Sequence, residues 1–212
     1  MPTAGQSTEE YFADTPALRR FVAAVRDAIA AADAPGPLVE QLKPPFAELL
    51  ADQGWLPDRF AQPDATSGMG GGIGQYLLYR SQTPTFTIFS LVVPSGSMTP
   101  VHDHLAWGLV GLYRGEQQEE MYALMVGDPD EGEARIELLE ERRVAPGEFY
   151  PILPPDNDIH RVTTISAEPS ISIHLLGNDT GCVLRHTYDQ SAETTHAFRS
   201  GYSNAPCEQP AG

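Results

Sequence analysis

The sequence predicts a mainly β protein that begins with α-helices. From Gln75 onward, about nine short β-rich runs alternate with turn residues, which is the spacing of an all-β sandwich or barrel. Before residue 60, apolar residues recur at helical spacing instead. A chain of 212 residues can bury one sizeable core. We therefore expect a helical segment at residues 1–67 packed on a barrel at residues 68–200, followed by a C-terminal tail at residues 201–212.

Two candidate helices precede the barrel. The first is ALRRFVAAVRDAIAAAD, which is rich in alanine and carries apolar residues on one helical face. The second is LVEQLKPPFAELLADQGW. Pro44 and Pro45 should interrupt or restart it, because proline lacks an amide donor and clashes with the preceding turn. The stretch GMGGGIG at residues 68–74 is then a flexible junction, since it lacks the GK[ST] ending of a phosphate loop.

The β-rich part reads as strands joined by turns that contain Pro, Gly, Asp and Asn. The candidate strands are QYLLYR, TFTIFSLVV, AWGLVGLYR, EMYALMV, ARIELLEERRV, EFYPIL, HRVTTIS, SISIHLLG and GCVLRHTYD. The acidic stretch at residues 128–133 is expected to be a solvated hairpin tip. A calcium site there is the alternative, but the EF-hand pattern is absent.

Charge and composition exclude several classes of partner. The formal net charge of −16, with no cluster of Lys or Arg, disfavours nucleic acid and anionic membranes. The sequence lacks an apolar run long enough to span a bilayer and a secretory signal at its N-terminus, so we expect a cytoplasmic protein. Cys182 and Cys207 suggest neither a disulfide framework nor a Cys-rich metal site. If a metal binds, histidine must hold it.

Two histidines stand one residue apart in TPVHDHLAWGLVGLYRG. In a strand, His102 and His104 would face one side and Asp103 the other. A single buried histidine is commonly a core residue with one hydrogen bond at each nitrogen. Two on one face of an apolar strand would both need partners in a dry interior, so the pair favours metal ligation.

Four further histidines compete for the place of third ligand. His160 opens the run HRVTTIS after a turn, where a barrel mouth commonly presents ligands. His174 lies in SISIHLLG and shares a strand face with Ser172. His186 and His196 lie in or beyond the last predicted strand, and we interpret them as surface or packing residues.

The spacing of these histidines resembles known motifs. Gly96, five residues and then His102-x-His104, followed by Gly115, resembles the first cupin motif, and Pro155-x-Asn157-x-x-His160 resembles the second. Gly108 occupies the slot of the usual cupin glutamate. With SISIH and the later G-N-x-x-G-x-V-x-R-H-x-x-D, the stretch from Gln75 to Asp189 is similar to thiol dioxygenases of the cysteine dioxygenase family. The bacterial branch that oxidises 3-mercaptopropionate is the closer match.

The resemblance implies a cupin double-stranded β-helix barrel and a set of metal ligands. His102, His104 and His160 match the three ligands of Fe(II) in the family. Three neutral imidazoles leave the full ferrous charge available to a thiolate and to O2, whereas a carboxylate ligand would partly neutralise it. The metal would lower the pKa of the thiol and hold both reactants, and the product would be a sulfinate.

The resemblance also assigns substrate-binding residues. Arg185 matches the arginine that pairs with the substrate carboxylate, and its planar fork suits a bidentate contact. An ordinary surface ion pair with one of the 29 acidic residues is the alternative for Arg185. Gln75 falls where the cysteine branch carries a second arginine, which argues against cysteine as the substrate.

One position departs from the family pattern. Ser172 and His174 match the start of a Ser-x-His-x-Tyr relay beside the iron, but position 176 is Leu. No phenol is available there, and Gly108 offers no thiol for the cysteine–tyrosine crosslink of some relatives. We therefore hypothesise a substrate whose apolar part rests on Leu176.

Three classes of function follow from these observations. The first is an iron thiol dioxygenase acting on a small carboxylate-bearing thiol. The second is another metal-dependent cupin enzyme, such as a zinc or nickel lyase, or a dioxygenase with a bulkier substrate. The third is a metal-binding or ligand-binding barrel without catalytic activity, because fold alone does not fix function. The sequence leaves the oligomeric state open.

Overall fold

A computed structural model describes residues 9–67, 69–83 and 85–207. Gly68, the first residue of the predicted junction, and residues 208–212 of the predicted tail lie outside the described residues, as do residues 1–8. Within the described part of the chain, two α-helices precede most of the strands, and the strands form two antiparallel sheets. The predicted mainly β class with N-terminal helices is confirmed.

The two helices are α1 (Pro16–Ala31) and α2 (Pro35–Ala51). Thr15 caps α1, since its side chain accepts from the amide of Leu18 at 3.4 Å. The predicted interruption of α2 is wrong, because the helix runs through Pro44 and Pro45 without a break. The two prolines remove only their own amide bonds, while the apolar face around Phe46 stays fully buried and holds the helix on the sheet.

The strands are divided between two sheets. The first sheet has the order β1-β2-β3-β9-β4-β7, formed by Glu9–Tyr11, Gly74–Gln82, Thr85–Val93, Ser170–Leu176, Gly108–Arg114 and Phe149–Ile152. The second has the order β10-β11-β6-β5-β8, formed by Arg185–Asp189, Thr194–Phe198, Glu133–Val144, Gln117–Asp128 and Ile159–Thr164. Of these, β1 and β11 were not among the predicted strands.

The sheet orders define a jelly roll. In the first sheet, the four strands β3-β9-β4-β7 are neighbours, and in the second β8-β5-β6 are neighbours. Isolated bridges from Met98 to Thr163 and from His102 to His160 add residues 98–102 beside β8 as a fourth, irregular strand. Two four-stranded sheets connected in this way form the double-stranded β-helix of cupins. The helices cover the outer face of the first sheet, where Phe46 meets Phe149 with ring centroids 5.6 Å apart.

The histidine pair does not lie in a regular strand as predicted. His102 forms only bridges, His104 is in irregular structure, and β4 begins later, at Gly108. The alternation of facing directions nevertheless holds. His102 and His104 point to one side, while the side chain of Asp103 points to His186 on β10. Direct neighbours along an extended backbone face opposite sides whether or not a ladder forms.

Cys182 and Cys207, which suggested no disulfide framework in the sequence, form a disulfide. It fastens the C-terminal segment, defined here as residues 200–207, to the loop before β10. The segment also pairs with β2, since the amide of Ser203 donates to Gln75 at 2.7 Å and the side chain of Asn204 bonds both backbone groups of Leu77. Two cysteines 25 residues apart give no signal in the sequence that this pairing occurs.

The predicted Gly-rich junction forms turns over its described residues. The amide of Ile73 donates to Gly70 at 3.1 Å, and Gly70, Gly71 and Gly72 have positive φ angles that glycine adopts without strain. Within the described part of the chain, we find no helix with the length and apolar character that a membrane span requires.

Candidate metal centre

Three buried histidines converge between the two sheets. Their candidate ligand nitrogens in His102, His104 and His160 all lie within 4.8 Å of one another. His160 is the second residue of β8, and its backbone exchanges two 3.0 Å hydrogen bonds with that of His102. That bridge places the two side chains next to each other, and the i, i+2 spacing adds His104. The structure therefore brings together the three predicted ligands.

The second ring nitrogen of two of these histidines is held by the backbone. His102 Nδ1 lies 2.9 Å from the carbonyl oxygen of Pro100, and His104 Nδ1 lies 3.0 Å from that of Asp158. A carbonyl only accepts, so each Nδ1 carries the proton and donates. The Nε2 lone pair of each ring is then free to face the centre, which is the usual arrangement of histidine ligands.

The third histidine is held by a carboxylate. His160 Nδ1 lies 2.9 Å from Oε1 of Glu119 on β5 and 3.1 Å from the hydroxyl of Tyr150 on β7. The second oxygen of Glu119 accepts from Arg142 at 2.7 and 2.9 Å. Burial alone would raise the pKa of Glu119, but the hydrogen bonds and charges of His160, Tyr150 and Arg142 lower it below its ordinary value. A fully buried, ionised carboxylate therefore stands directly behind one ligand.

The surroundings of the candidate ligands keep two of the imidazoles in the neutral form. Burial lowers the pKa of His102 and of His104 well below the usual value, and neighbouring imidazoles and Arg185 lower both pKa values further. Both rings are therefore neutral near pH 7, which is the form that binds metal. Three convergent imidazole nitrogens, with Nδ1 satisfied in each, fit a divalent transition metal.

Asp158 shapes the turn that carries His104. Its carboxylate accepts from the amides of His104 at 2.9 Å and Leu105 at 3.2 Å. Leu105 has φ 54° and Asn157 has φ 55°, and this left-handed conformation is uncommon outside glycine. Burial raises the pKa of Asp158 above its ordinary value. The strained backbone at Leu105 is thus held by a side chain from the loop before His160.

Ser172 and His174 lie beside the centre on β9. Ser172 Oγ is 2.9 Å from His174 Nε2, and the imidazole stacks on Phe89 with ring centroids 4.5 Å apart. The ring of His174 lies 6.4 Å from that of His104. Its Nδ1 is buried and has no hydrogen-bond partner among the described residues. A buried imidazole nitrogen without a partner is a costly feature that a bound ligand can satisfy.

Leu176 closes the apolar side of this region. Its side chain is fully buried with Phe89 and Val110, and it pairs across the strands with Gly108. A Cβ placed on Gly108 would lie 2.5 Å from Leu176 Cδ2, so the leucine occupies the space over that glycine. Gly108, in the slot of the usual cupin glutamate, and Leu176 are therefore cross-strand neighbours.

Arg185 is buried at the start of β10. Its Nε donates to the carbonyl of Thr180 at 2.8 Å, its Nη1 donates to the carbonyl of Asp103, and its Nη2 donates to Ser200 Oγ at 3.0 Å. The guanidinium stacks over Phe198 at 4.7 Å. Only 3% of Arg185 is exposed, and burial lowers its pKa to about 10. It forms no salt bridge within the described residues, so the alternative of an ordinary surface ion pair is wrong.

Gln75 is connected to Arg185 through one serine. The side-chain nitrogen of Gln75 donates to Ser200 Oγ at 3.1 Å and to the carbonyl of Gly201 at 2.9 Å. Both predicted substrate-binding polar residues therefore contact the C-terminal segment. Sequence reasoning missed Ser200 because nothing in the motif links residue 200 to either of them.

The two remaining histidines are not part of the centre. His186 contacts Asp103 at 2.7 Å and Asp130 at 3.2 Å, and His196 is exposed on β11. Glu119 was also missed, although the strand alternation in EQQEEM carried a signal. Every second residue of β5 at its start is buried, namely Gln117, Glu119 and Met121, and a charged residue on that face needs a partner.

No protein-family model matches the chain. Among solved structures it is similar to peruvianin-I, a cysteine peptidase from Thevetia peruviana latex, with 19% identity over 60% of this chain and 74% of the other and a TM-score of 0.40. It is also similar to a cupin_2 domain of an XRE family transcriptional regulator from Enterobacter cloacae, with 18% identity, 49% and 94% coverage and a TM-score of 0.34.

A third similar structure is recombinant oxalate oxidase in complex with glycolate, with 15% identity over 55% of both chains and a TM-score of 0.40. Identities of 15–19% and TM-scores of 0.34–0.40 transfer neither a substrate nor a metal to this chain.

Proposed function

We propose that this protein is an Fe(II)-dependent thiol dioxygenase that converts a small carboxylate-bearing thiol, such as 3-mercaptopropionate, to its sulfinate with O2. The observation that carries the proposal is the combination of three convergent imidazoles with a buried guanidinium that has no carboxylate partner among the described residues. One group suits a thiolate-binding metal and the other suits a carboxylate.

The hydrogen bonds of Arg185 among the described residues do not use all of its N–H donors. A guanidinium carries five N–H donors. In Arg185, three N–H groups are used, one each at Nε, Nη1 and Nη2. Among the described residues, one N–H therefore remains without a partner on each terminal nitrogen, and these two donors are available to a substrate carboxylate. Stacking on Phe198 fixes the plane of the guanidinium.

The guanidinium and the histidines are electrostatic neighbours. The charge of Arg185 contributes to lowering the pKa of His102, His104 and His174, after burial, the larger cause. Phe198, against which Arg185 stacks, also contacts His102 edge-on with ring centroids 6.4 Å apart. We therefore infer a short substrate whose thiol lies toward the histidines and whose carboxylate lies toward Arg185.

The chain's residues have distinct parts in the reaction. Bound iron would supply Lewis acidity for a thiolate and for O2. His102, His104 and His160 would hold it, and Arg185 would orient the substrate through its carboxylate, which raises effective concentration at the reacting sulfur. The overall change, a thiol plus O2 giving a sulfinic acid, balances in atoms and electrons, so no separate reductant is needed.

Ser172 and His174 would position groups beside the reacting sulfur. The unpartnered Nδ1 of His174 offers a hydrogen-bonding position, and Ser172 fixes the ring at Nε2. Leu176 supplies an apolar wall instead of a phenol. Gln75, rather than a second arginine, lies next to the carboxylate site, which argues against cysteine as the substrate.

The second candidate is a different metal-dependent cupin reaction, such as zinc-dependent lyase chemistry. The specific observation in its favour is the lack of a carboxylate ligand among the three buried ligands, because three imidazoles also suit zinc. A dioxygenase acting on a bulkier thiol belongs to the same group, since Leu176 offers apolar contact.

Metal analysis combined with oxygen uptake tests the proposal. Protein purified without oxygen should contain one iron per chain and consume O2 with 3-mercaptopropionate, giving one sulfinate per O2. Cysteamine, which lacks the carboxylate, and cysteine should react far more slowly. Zinc in place of iron, or no thiol-dependent O2 uptake by the iron-loaded protein, would favour the second candidate.

The cellular setting belongs to the same proposal. We place the enzyme in the cytoplasm, with a thiol and O2 as its partners and with neither nucleic acid nor a membrane. Disulfides are rare in reducing compartments, so the Cys182–Cys207 pair gives this placement a direct test. Counting free thiols in protein alkylated inside its native cells would show whether the pair forms there.

A further inference from the structure

Ser200, at the start of the C-terminal segment, links the two predicted substrate-binding polar residues. Its hydroxyl oxygen accepts from Arg185 Nη2 at 3.0 Å and from Gln75 Nε2 at 3.1 Å. The residue is 7% exposed. Ser200 therefore lies between the charged side chain of Arg185 and the neutral side chain of Gln75.

The donor count of Ser200 leaves one hydrogen unused. A hydroxyl group has two acceptor lone pairs and one O–H donor. Both lone pairs are occupied by Arg185 and Gln75, and neither of these groups can accept from it at the same atoms. Among the hydrogen bonds of the described residues, Ser200 Oγ donates none. The O–H therefore remains available to a group from outside the described residues, and Arg185 beside it favours an anion.

The position of Ser200 is fixed from both sides. Before it, Phe198 is paired with Arg185 across β10 and β11. After Ser200, the ring of Tyr202 packs closely on Gly181. A Cβ built on Gly181 would lie only 2.4 Å from that ring. The disulfide of Cys182 then holds the end of the segment. These contacts keep the hydroxyl in place before any ligand binds.

We propose that Ser200 is a substrate-binding residue whose hydroxyl donates to the same carboxylate that Arg185 binds. This inference rests on the proposed function and adds a third donor to the two free N–H groups of Arg185. The carboxylate site would then consist of a charged fork on β10 and a neutral donor on the C-terminal segment, with Gln75 holding that donor in orientation.

Anaerobic binding to the Co(II)-loaded protein tests this role without turnover. The probes are 3-mercaptopropionate, propionate and cysteamine, each followed by the visible Co(II) bands or by calorimetry. Loss of one charge-assisted hydrogen bond should weaken both carboxylates roughly tenfold or more in Ser200→Ala and leave cysteamine almost unchanged. Ser203→Ala is the matched control. Ser203 Oγ also contacts Gln75, where it accepts from the backbone amide, but it has no hydrogen bond with Arg185.

A double-mutant cycle separates direct contact from positioning of Arg185. If Ser200 donates to the carboxylate, Ser200→Ala should still weaken propionate binding when Arg185 is already replaced by Met. If Ser200 only positions Arg185, the second substitution should have no effect, and the inference is overturned. Equal affinities of wild type and Ser200→Ala, or no carboxylate binding by either, would overturn it as well. Carboxylate binding that depends on Ser200 without thiol oxidation would instead refute only the proposed function.

Discussion

His160 and His186 have almost the same local chemistry and different roles. Each is buried, and each holds a buried carboxylate at Nδ1, Glu119 at 2.9 Å and Asp103 at 2.7 Å. The difference lies at the other nitrogen. Nε2 of His160 faces two more imidazoles, whereas Nε2 of His186 lies 3.2 Å from Asp130 on an exposed hairpin tip. A histidine–carboxylate pair is therefore a candidate metal ligand only where its second nitrogen remains free to bind.

The largest effect is expected from the two alanine substitutions of these histidines. His160→Ala should abolish tight binding of one metal per chain, because it removes one of the three candidate ligands found among the described residues, whereas His186→Ala should retain the metal. Metal content of the two purified variants after dialysis measures this. If His160→Ala keeps its metal and activity, His174 becomes the leading third ligand and the comparison fails.

Arg185 and His186 extend the comparison to neighbours on one strand. Arg185→Met should cost about 2–5 kcal/mol of binding for a carboxylated thiol, because it removes a buried charge partner. Cysteamine should be affected far less, and His186→Ala should leave the difference between the two thiols unchanged. Affinities from anaerobic titration decide the point, and equal losses for both thiols would remove Arg185 from the substrate site.

Glu119→Gln tests the carboxylate that is hydrogen-bonded to the candidate ligand His160. The amide keeps a hydrogen-bonding group at His160 but removes the negative charge, so metal affinity should fall about 10–100-fold. Glu120→Gln is the matched control, since Glu120 is the next residue of β5 and pairs with Arg161 instead of a histidine. A competition titration with a coloured zinc chelator gives both affinities. Equal values for the two variants would show that the charge of Glu119 does not act on the metal.

The smallest effect is expected from a substitution at Leu176, near His174, which is a third buried histidine to compare with His160 and His186. Leu176→Tyr places a phenol two residues along β9 from His174 and should shift the ranking of kcat/KM toward 3-mercaptopropionate and away from a bulkier thiol. Mercaptosuccinate serves as a carboxylated thiol of intermediate size. If wild type already prefers 3-mercaptopropionate and the variant keeps the same ranking, Leu176 does not set specificity.

The sequence predicts the strands best where one pattern dominates. β3 was predicted as TFTIFSLVV and spans Thr85–Val93, because a continuous apolar run ends at proline. The prediction that His102 and His104 lie in a strand was wrong, since Asp158 from a distant loop binds the backbone amides of His104 and Leu105 and keeps them out of the ladder. Tertiary partners of this kind leave no local trace.

The same reasoning separates the parts of the candidate site. His102, His104 and His160 stand at the spacings of the cupin motifs, so the resemblance predicts that they lie together. Glu119 and Ser200 depend on which strands become neighbours and on where the C-terminal segment returns. That return is fixed by the pairing of Ser203 with Gln75, across 128 residues of sequence.

The disulfide turns part of the site into a covalent ring. Cys182 and Cys207 enclose Arg185, Phe198 and Ser200, while the turn at residues 190–193 between β10 and β11 is exposed. Such turns are preferred sites of proteolytic nicking. A protease that cuts there opens the ring without releasing either half, so the severed chain would still carry Arg185 and Ser200, the residues of the proposed carboxylate site, on one molecule.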